Sequence, residues 1–596
     1  MKENKRMYIS YGIRLCLVLL AAGTFNKSMS QTRPNVLLIM TDDQGFGDIG
    51  MSGNNIIQTP HLDRLSRQSV SYTNFYVSPV CAPTRASLLT GRYAQRTGVR
   101  SVTNGFETMH PEELTIAEIF SEVGYRTGIF GKWHLGEHYP SVPNGQGFQE
   151  FVGFRTGHFD DYFDPVLEHN GQPYPTRGYI TDVLTDEAIR FMDESKEKPF
   201  FCYLPYNAPH TPLYVPVSYL KKYQNQGLNE RTARVYAMIE NIDDNMGRLL
   251  QHLQTTGLDK NTIVIFLSDN GPINGRTEQA DWRFNAGLRD QKFTVYEGGI
   301  RTQCFMRWTN HFEAGKKIEK VAAHIDMLPT LLDLCNVPAP DSVLLDGRSL
   351  RSLLEAETAP WPDRTLFMHY SLKTLESQEL YPGGIARTQR YKMVDGRELY
   401  DLQNDPGERE NIAQQHADIL AELDQAYRQW WQGILPQQGF NILPVPVGYL
   451  QEPLVRIAPH LGSVKGGLKY YGFRGLQGET IGEHPRGVDG DWITNWRSVD
   501  DQIRWEVEVV EPGNYDVALQ FRVKEADAGA VVRVNIGSKQ LDMKVPVADL
   551  EVAHWKNTRW GTVYLEAGNY SLSVQALQVP GETVMDLGAI LFTKVL

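Results

Sequence analysis

Asn35, Val36, Leu37, Leu38, Ile39 and Met40, followed by Thr41, Asp42 and Asp43, form a continuous apolar run that ends in two carboxylates. A strand with one wet face alternates apolar and polar residues, so an unbroken run predicts a strand buried on both faces. Thr262, Ile263, Val264, Ile265, Phe266 and Leu267 repeat the pattern and end in Ser268, Asp269, Asn270 and Gly271; Phe200 to Leu204, ahead of Pro205, is a third such run. Helical periodicity falls between these runs, over Glu113 to Glu122, Thr181 to Glu194, Arg231 to Gln254 and His324 to Leu334. Strands alternating with helices predict an α/β fold with a mostly parallel sheet covered on both faces. Ligands bind such sheets beyond the carboxyl ends of the strands, where both acidic clusters lie.

At 596 residues the chain is long enough for two or more cores. From about Val445 the texture changes to short strands between Gly and Pro turns: Ile503 to Val509, Tyr515 to Val523, Val531 to Ile536, Thr562 to Leu565, Tyr570 to Ala576 and Ala589 to Leu596. In the first of these, Ile503, Trp505, Val507 and Val509 share one face and Arg504, Glu506 and Glu508 the other, the alternation of a half-buried antiparallel strand. The expected division is a segment 1–30 that is removed, an α/β core over 31–345, a linker over 435–446 and an all-β sandwich over 447–596. Trp492 and Trp496 in the sandwich read as core residues or as sugar-stacking platforms.

Lys2, Lys5 and Arg6 precede a short apolar stretch, Leu15 to Gly23, with Ser28 and Ser30 before Gln31. This is the pattern of a cleaved signal peptide, and the stretch is shorter than the roughly 20 apolar residues a bilayer span takes. An exported protein, periplasmic or secreted, with no membrane span after cleavage is expected. Of five cysteines, Cys16 lies in the signal and Cys81 in a motif, so Cys202, Cys304 and Cys335 are too few for a disulfide framework. A net charge of −12 without dense Lys/Arg patches argues against a nucleic acid or an anionic membrane as partner. An anionic substrate would have to be captured by a few converging cations.

If the first two runs are neighbours in the sheet, Asp42, Asp43 and Asp269 converge. Two carboxylates about 4 Å apart repel by about 4 kcal/mol at an effective dielectric near 20, so three together call for a cation or for protonation. Oxygen donors alone, with Asn270 as a carbonyl ligand, select a hard ion. The other reading of Asp42 and Asp43 taken alone is a helix cap after the strand.

Cys81, Ala82, Pro83, Thr84 and Arg85, then Leu88, Leu89, Thr90, Gly91 and Arg92, resemble the signature of type I sulfatases, as does the segment from Gly124, Tyr125 and Arg126 through Gly131, Lys132, Trp133 and His134 to Gly136. The resemblance runs from Arg33 to about Trp430. It implies an alkaline-phosphatase-like fold, with a catalytic core over 31–345 of mixed, mostly parallel sheet flanked by helices, a smaller α+β subdomain over 346–434 and here an appended β-sandwich. It also implies conversion of Cys81 to Cα-formylglycine by a maturation enzyme, and calcium, with magnesium the alternative, on Asp42, Asp43, Asp269, Asn270 and residue 81. By the same resemblance Lys132 and Lys292 bind the sulfate, His134 hydrogen-bonds the aldehyde hydrate, His210 protonates the leaving alcohol and Arg85 orients residue 81. Lys132 and His134, two apart in a segment expected to be extended, would face one side. The chain departs from the family at Thr302 and Gln303 and at Asp290 and Gln291, which flank the Lys292 region.

The expected reaction is hydrolysis of a sulfate monoester on a glycan, terminal galactose or N-acetylgalactosamine being the sugar expected. Gly157 to Asp164 and Asp281 to Asn285 are rich in aromatic and hydrogen-bonding groups and read either as a sugar rim or as loops packed on the core. Two alternatives stand beside this reading: a formylglycine-dependent phosphodiesterase or phosphonate hydrolase, and a non-catalytic glycan-binding protein with Cys81 unmodified.

Overall fold

The computed structural model describes residues 33–273, 283–356, 360–373, 379–434, 442–474, 480–484, 490–546 and 555–595. The signal segment, the first part of the linker and Asp281 and Trp282 lie outside the described residues. Among those described, no helix is long and apolar enough to cross a membrane.

The main sheet contains β1 (Asn35–Thr41), β2 (Val70–Tyr76), β3 (Arg126–Lys132), β4 (Glu150–Phe154), β5 (Val166–His169), β6 (Gln172–Pro175), β7 (Phe200–Pro205), β8 (Thr262–Ser268), β9 (Arg301–Trp308), β10 (Lys317–Ile318) and β11 (Ala322–Ala323). Their order is β10-β2-β9-β8-β1-β7-β3-β4-β5-β6, with β11 also on β2. The centre, β8-β1-β7-β3-β4, is parallel, whereas β9 runs antiparallel to β8 and to β2. The three apolar runs read from the sequence are therefore β1, β8 and β7, side by side.

Every residue of β1 is buried. Val36, Leu38 and Met40 enter one apolar cluster with Ala82, Ile116, Phe120 and Leu331; Leu37 and Ile39 enter another with Leu62, Leu184, Phe191, Ile239 and Leu249. Alternate side chains thus supply the two faces of the sheet. Each such burial is worth roughly 1.5–3 kcal/mol, and hence the run has no polar interruption.

Two helices begin differently from the sequence expectation. The helix expected from Glu113 starts at Ile116, because Thr115 and Glu118 form a capping box, Thr115 accepting from Glu118 N and Glu118 from Thr115 N. The one expected from His324 is a 3₁₀ turn, His324–Asp326, followed by the α-helix Met327–Leu334. Asp326 Oδ2 accepts from Ala323 N at 2.8 Å and tightens that first turn.

A second, antiparallel sheet is formed by β12 (Leu366–His369), β13 (Gly384–Arg387), β14 (Tyr391–Val394) and β15 (Glu398–Asp401). The helix Ala417–Ile434 contributes Leu423 and Tyr427 to an apolar cluster with Ala386, Met393 and Leu399 of this sheet. Beyond Val445 two further sheets enclose one apolar core containing Trp496, Trp505, Leu519, Val534, Leu572 and Phe592. Strand Gln502–Val509 buries Ile503, Trp505, Val507 and Val509 and exposes Arg504, Glu506 and Glu508, as its alternation predicts. Trp492 and Trp496 are both buried. This C-terminal module meets the α/β domain along residues 104–140 and encloses with it a crevice of about 540 Å³, lined by Phe106, Pro140, Ile442, Tyr449, Leu461 and Tyr470. That crevice is separate from the acidic centre described next.

Candidate active site

Parallel pairing in register brings Met40 opposite Leu267 and Thr41 opposite Ser268, so the residues that follow emerge together at the carboxyl edge. Asp43 N donates to Asp269 Oδ1 at 3.2 Å, joining segments 226 positions apart in sequence. Asp43 adopts a left-handed φ of 68°, a conformation that short polar side chains tolerate. Gly271 has no alternative: a Cβ there would sit 1.9 Å from Gly298 O. Asn270 donates to Asp43 Oδ1 at 2.8 Å and turns its own Oδ1 inward.

Cys81 is the first residue of the helix Cys81–Thr90, with Val80 as its N-cap. Thr84 Oγ1 accepts from Ser78 N at 2.9 Å and shapes the entry turn. One ligand atom each of Asp42, Cys81 and Asp269 lie within 4.8 Å of one another, and so do those of Asp42, Asp43 and His210. Arg85, one helical turn after Cys81, is fully buried and places its guanidinium 2.8 Å from Asp269 Oδ2 and 3.8 Å from Asp42 Oδ2, while donating to Lys132 O. Lys132 Nζ lies 2.6 Å from Asp42 Oδ2 and Lys292 Nζ 2.6 Å from Asp43 Oδ1. Nearly all the residues that the sequence assigned to chemistry thus converge in one buried centre of three carboxylates and three cations.

His210 follows β7. Its Nδ1 lies 2.7 Å from Thr211 O, which fixes the proton on Nδ1, and its Nε2 faces Asp43 Oδ2 at 3.8 Å. A lone pair set against a carboxylate needs a proton or a cation between them. Tyr162 donates its hydroxyl to His210 O at 2.9 Å, so part of the aromatic loop Gly157 to Asp164 packs as a support for His210, while Phe163 is half exposed.

His134 corrects the expectation of an extended segment. β3 ends at Lys132, and His134 takes a left-handed φ of 64°. The intervening Trp133 is buried and donates Nε1 to Ser141 O, while Trp133 N and His134 N donate to Phe154 O and Arg155 O. These bonds turn the chain, and the His134 ring places Nε2 2.9 Å from Val102 O.

Burial raises the carboxyl of Asp42, but Lys132, His210 and Arg85 overbalance it and hold it below its ordinary value. Asp43 is likewise lowered, by Lys292 and His210 against burial. Asp269 goes the other way, pushed up to about 7 by burial and by Asp42, with Arg85 opposing. The Cys81 thiol is raised by burial, which Lys132 and Lys292 only partly offset. His210 is pushed down to about 3 by burial, against the pull of Asp42 and Asp43.

Asp42 Oδ1, Asp43 Oδ2 and Asn270 Oδ1 are buried oxygens without a hydrogen-bond donor. Such orphans in one centre fit a hard cation on oxygen ligands. The sequence reading missed Arg283, which is 4% exposed and donates from one nitrogen to Asp43 O at 2.6 Å while pairing with Asp48 Oδ2 at 3.0 Å. No motif marks it; the sequence reads its loop only as a sugar rim or as core packing, rich in aromatic and hydrogen-bonding groups.

An acidic, metal-ready centre beside a helix N-terminus, at the carboxyl edge of a mixed sheet with helices on both faces, defines a hydrolase of the alkaline-phosphatase-like class. The sulfatase family model matches residues 34–337, and the model described as N-sulphoglucosamine sulphohydrolase, C-terminal, matches residues 285–432. The chain belongs to the sulfatase family and is a sulfuric ester hydrolase. It is 28% identical over 488 residues to N-acetylgalactosamine-6-sulfatase of Mus musculus, covering 71% of this chain and 91% of that protein. It is 25% identical over 507 residues to N-acetylglucosamine-6-O-sulfatase of Bacteroides thetaiotaomicron, covering 67% and 87%. Among solved structures, Ps i-CgsB in complex with k-i-k-neocarrahexaose superposes with a TM-score of 0.60 at 28% identity, over 67% of this chain and 93% of that one.

Proposed function

We propose that this sulfatase is exported through its segment 1–30 and removes a sulfate ester from a galactose or N-acetylhexosamine unit of a glycan, after Cys81 has been converted to Cα-formylglycine. The carrying observation is the buried centre joining Cys81 to three carboxylates and three cations, on a chain similar to two N-acetylhexosamine 6-sulfatases. The Cys81 thiol, raised by burial, is a poor nucleophile as it stands. Asp42, Asp43, Asp269 and Asn270 would hold calcium, the orphaned oxygens of Asp42, Asp43 and Asn270 among its ligands; many protein oxygens suit calcium better than magnesium, which keeps its waters. When present, the formylglycine hydrate supplies one hydroxyl to attack sulfur and a second to expel sulfate, and calcium supplies a positive charge against the ester oxygens.

This chain's own residues do the remaining work. The three carboxylates balance Arg85, Lys132 and Lys292, so a divalent ion leaves the pocket positive and fit for an anionic ester. Lys132 and Lys292 then turn from Asp42 and Asp43 to the sulfate oxygens, where they stabilise charge as the bond to the sugar breaks. Arg85 stays on Asp269 and holds the base of the centre. His210 keeps Nδ1–H on Thr211 O and offers Nε2 to the leaving oxygen; an anionic ester beside it favours the protonated ring that burial alone disfavours. His134, with Nε2–H on Val102 O, presents Nδ1 as the nitrogen that takes the proton when the aldehyde re-forms.

The test is sulfate release by purified protein, with conversion of Cys81 verified by mass, from mono- and disaccharides each sulfated at one position. Release from one galactose or N-acetylhexosamine regioisomer supports the proposal. Turnover confined to phosphate diesters or aryl sulfates overturns the glycan reading.

A further inference from the structure

His134 is held at two points, and the C-terminal module reaches both. The first point is its backbone: His134 N donates to Arg155 O at 2.9 Å. The Arg155 guanidinium is gripped in turn by Glu168 at 2.8 Å and by Glu452, which lies in the module between strands Val445–Val447 and Leu454–Ile457. The second oxygen of Glu452 accepts from Tyr139 N at 2.8 Å, so one carboxylate ties together the chain on either side of His134. The other point is the ring, whose Nε2 lies 2.9 Å from Val102 O. Two residues on, Asn104 Nδ2 donates to His460 O of the module at 2.8 Å, and the His460 ring lies 2.8 Å from Glu137 Oε1.

These contacts are built rather than incidental. The side chain of Arg155 is 18% exposed, that of Glu452 15% and that of His460 1%. The Tyr139 and Tyr449 rings meet edge to face at 4.9 Å beside them. The His134 ring also packs closely on Gly157, where a Cβ would lie 2.1 Å from its Nε2. A left-handed His134 is a conformation that surrounding bonds must over-determine, and part of that determination comes from the module.

We infer that the C-terminal module is part of the catalytic apparatus: Glu452 and His460 are positioning residues that hold the His134 segment in its reactive geometry. This rests on the proton-transfer role of His134 proposed above. A module that only gathers glycan would change KM for polymeric substrates and leave turnover of a small sulfate ester untouched. A positioning role does the opposite, because misplacing a catalytic group by about 1 Å costs on the order of a hundredfold in rate.

The experiment measures kcat and KM for a small sulfate ester with Glu452→Ala, Glu452→Gln, His134→Ala and the double variant, using full-length, maturation-verified protein with native circular dichroism. Glu452→Ala should lower kcat by about ten- to a hundredfold with KM within about twofold. Glu452→Gln, which keeps an acceptor for Tyr139 N, should recover part of that loss and serves if the alanine variant does not fold. The double variant should be no worse than His134→Ala. Arg533→Ala, which breaks an exposed pair with Asp542 elsewhere in the module, should leave kcat unchanged. A disabled His134→Ala beside a fully active Glu452→Ala would overturn the positioning role alone. Full turnover by His134→Ala would remove the role of His134 and this inference with it.

Discussion

Burial raises the Cys81 thiol, Lys132 and Lys292 offset part of this, and Asp42 and Asp269 add to it, so the surroundings as a whole disfavour a thiolate at this position. If Cys81 is the aldehyde precursor proposed above, Cys81→Ala should cost about a thousandfold or more in sulfate release while leaving the fold intact. Activity within tenfold of the parent would place the nucleophile elsewhere. His324 touches Ser78, three positions before Cys81 in the chain, with Nε2 3.2 Å from Ser78 Oγ, and burial pushes it down to about 3 from an ordinary 6.5. The unfolded chain takes up a proton as pH falls below 6.5, and the folded one refuses it until about 3. The stability tied to neutral His324 is therefore complete above pH 6.5 and is lost progressively on acidification through that window. Urea midpoints measured from pH 7 to 4 should fall with pH, and His324→Gln should make the slope shallower; an equal slope in both would assign the loss to other groups.

At the scale of elements, Lys392 of β14 fastens the small sheet to the main one. Its ammonium is fully buried between Glu297, at 3.3 Å, and Glu408, at 2.7 Å, and Glu408 also accepts from Glu297 N. Glu297 opens the short helix that leads into β9, close in sequence to Lys292. Lys392→Met would leave two buried carboxylates facing each other, a loss expected at roughly 3–5 kcal/mol. Denaturant unfolding should show it, and adding Glu408→Gln should restore a good part; no shift in midpoint would mean that water reaches the pair. Nothing in the sequence marked this triad, because Lys392, Glu297 and Glu408 belong to three segments whose meeting depends on the packing of two sheets. β1, β7 and β8 were legible for the opposite reason: central strands bury both faces, and that demand is written in consecutive residues. The acidic centre was legible too, since parallel strands in register place their ends together. The turn at His134 was not, since it follows from Phe154 and Arg155 carbonyls on a neighbouring strand.

The whole molecule consists of separate cores joined by a polar seam. Among the described residues, the apolar cluster of the C-terminal module contains none before Val445, and the two clusters that sandwich the main sheet contain no buried residue after Leu354. The seam itself is carried by charged and polar bonds, Glu452 to Arg155 and Tyr139 N, His460 to Glu137 and Asn104 to His460 O. Where polar bonds of this kind carry the contact and each part keeps its own apolar core, unfolding of one part is expected to couple only weakly to the other. Heating should consequently melt the module and the α/β domain in distinct steps, with a calorimetric enthalpy exceeding the van't Hoff value of either transition. Added salt should weaken the partly exposed ion pairs of the seam and draw the two transitions further apart. Scanning calorimetry at low and at about 0.5 M salt, with activity followed in parallel, checks both points. If positioning by Glu452 matters for turnover, activity should be lost with the first transition, even where the α/β domain is still folded. A single transition with matching enthalpies, unmoved by salt, would instead mean that the crevice between the two parts is apolar enough to bind them into one cooperative unit.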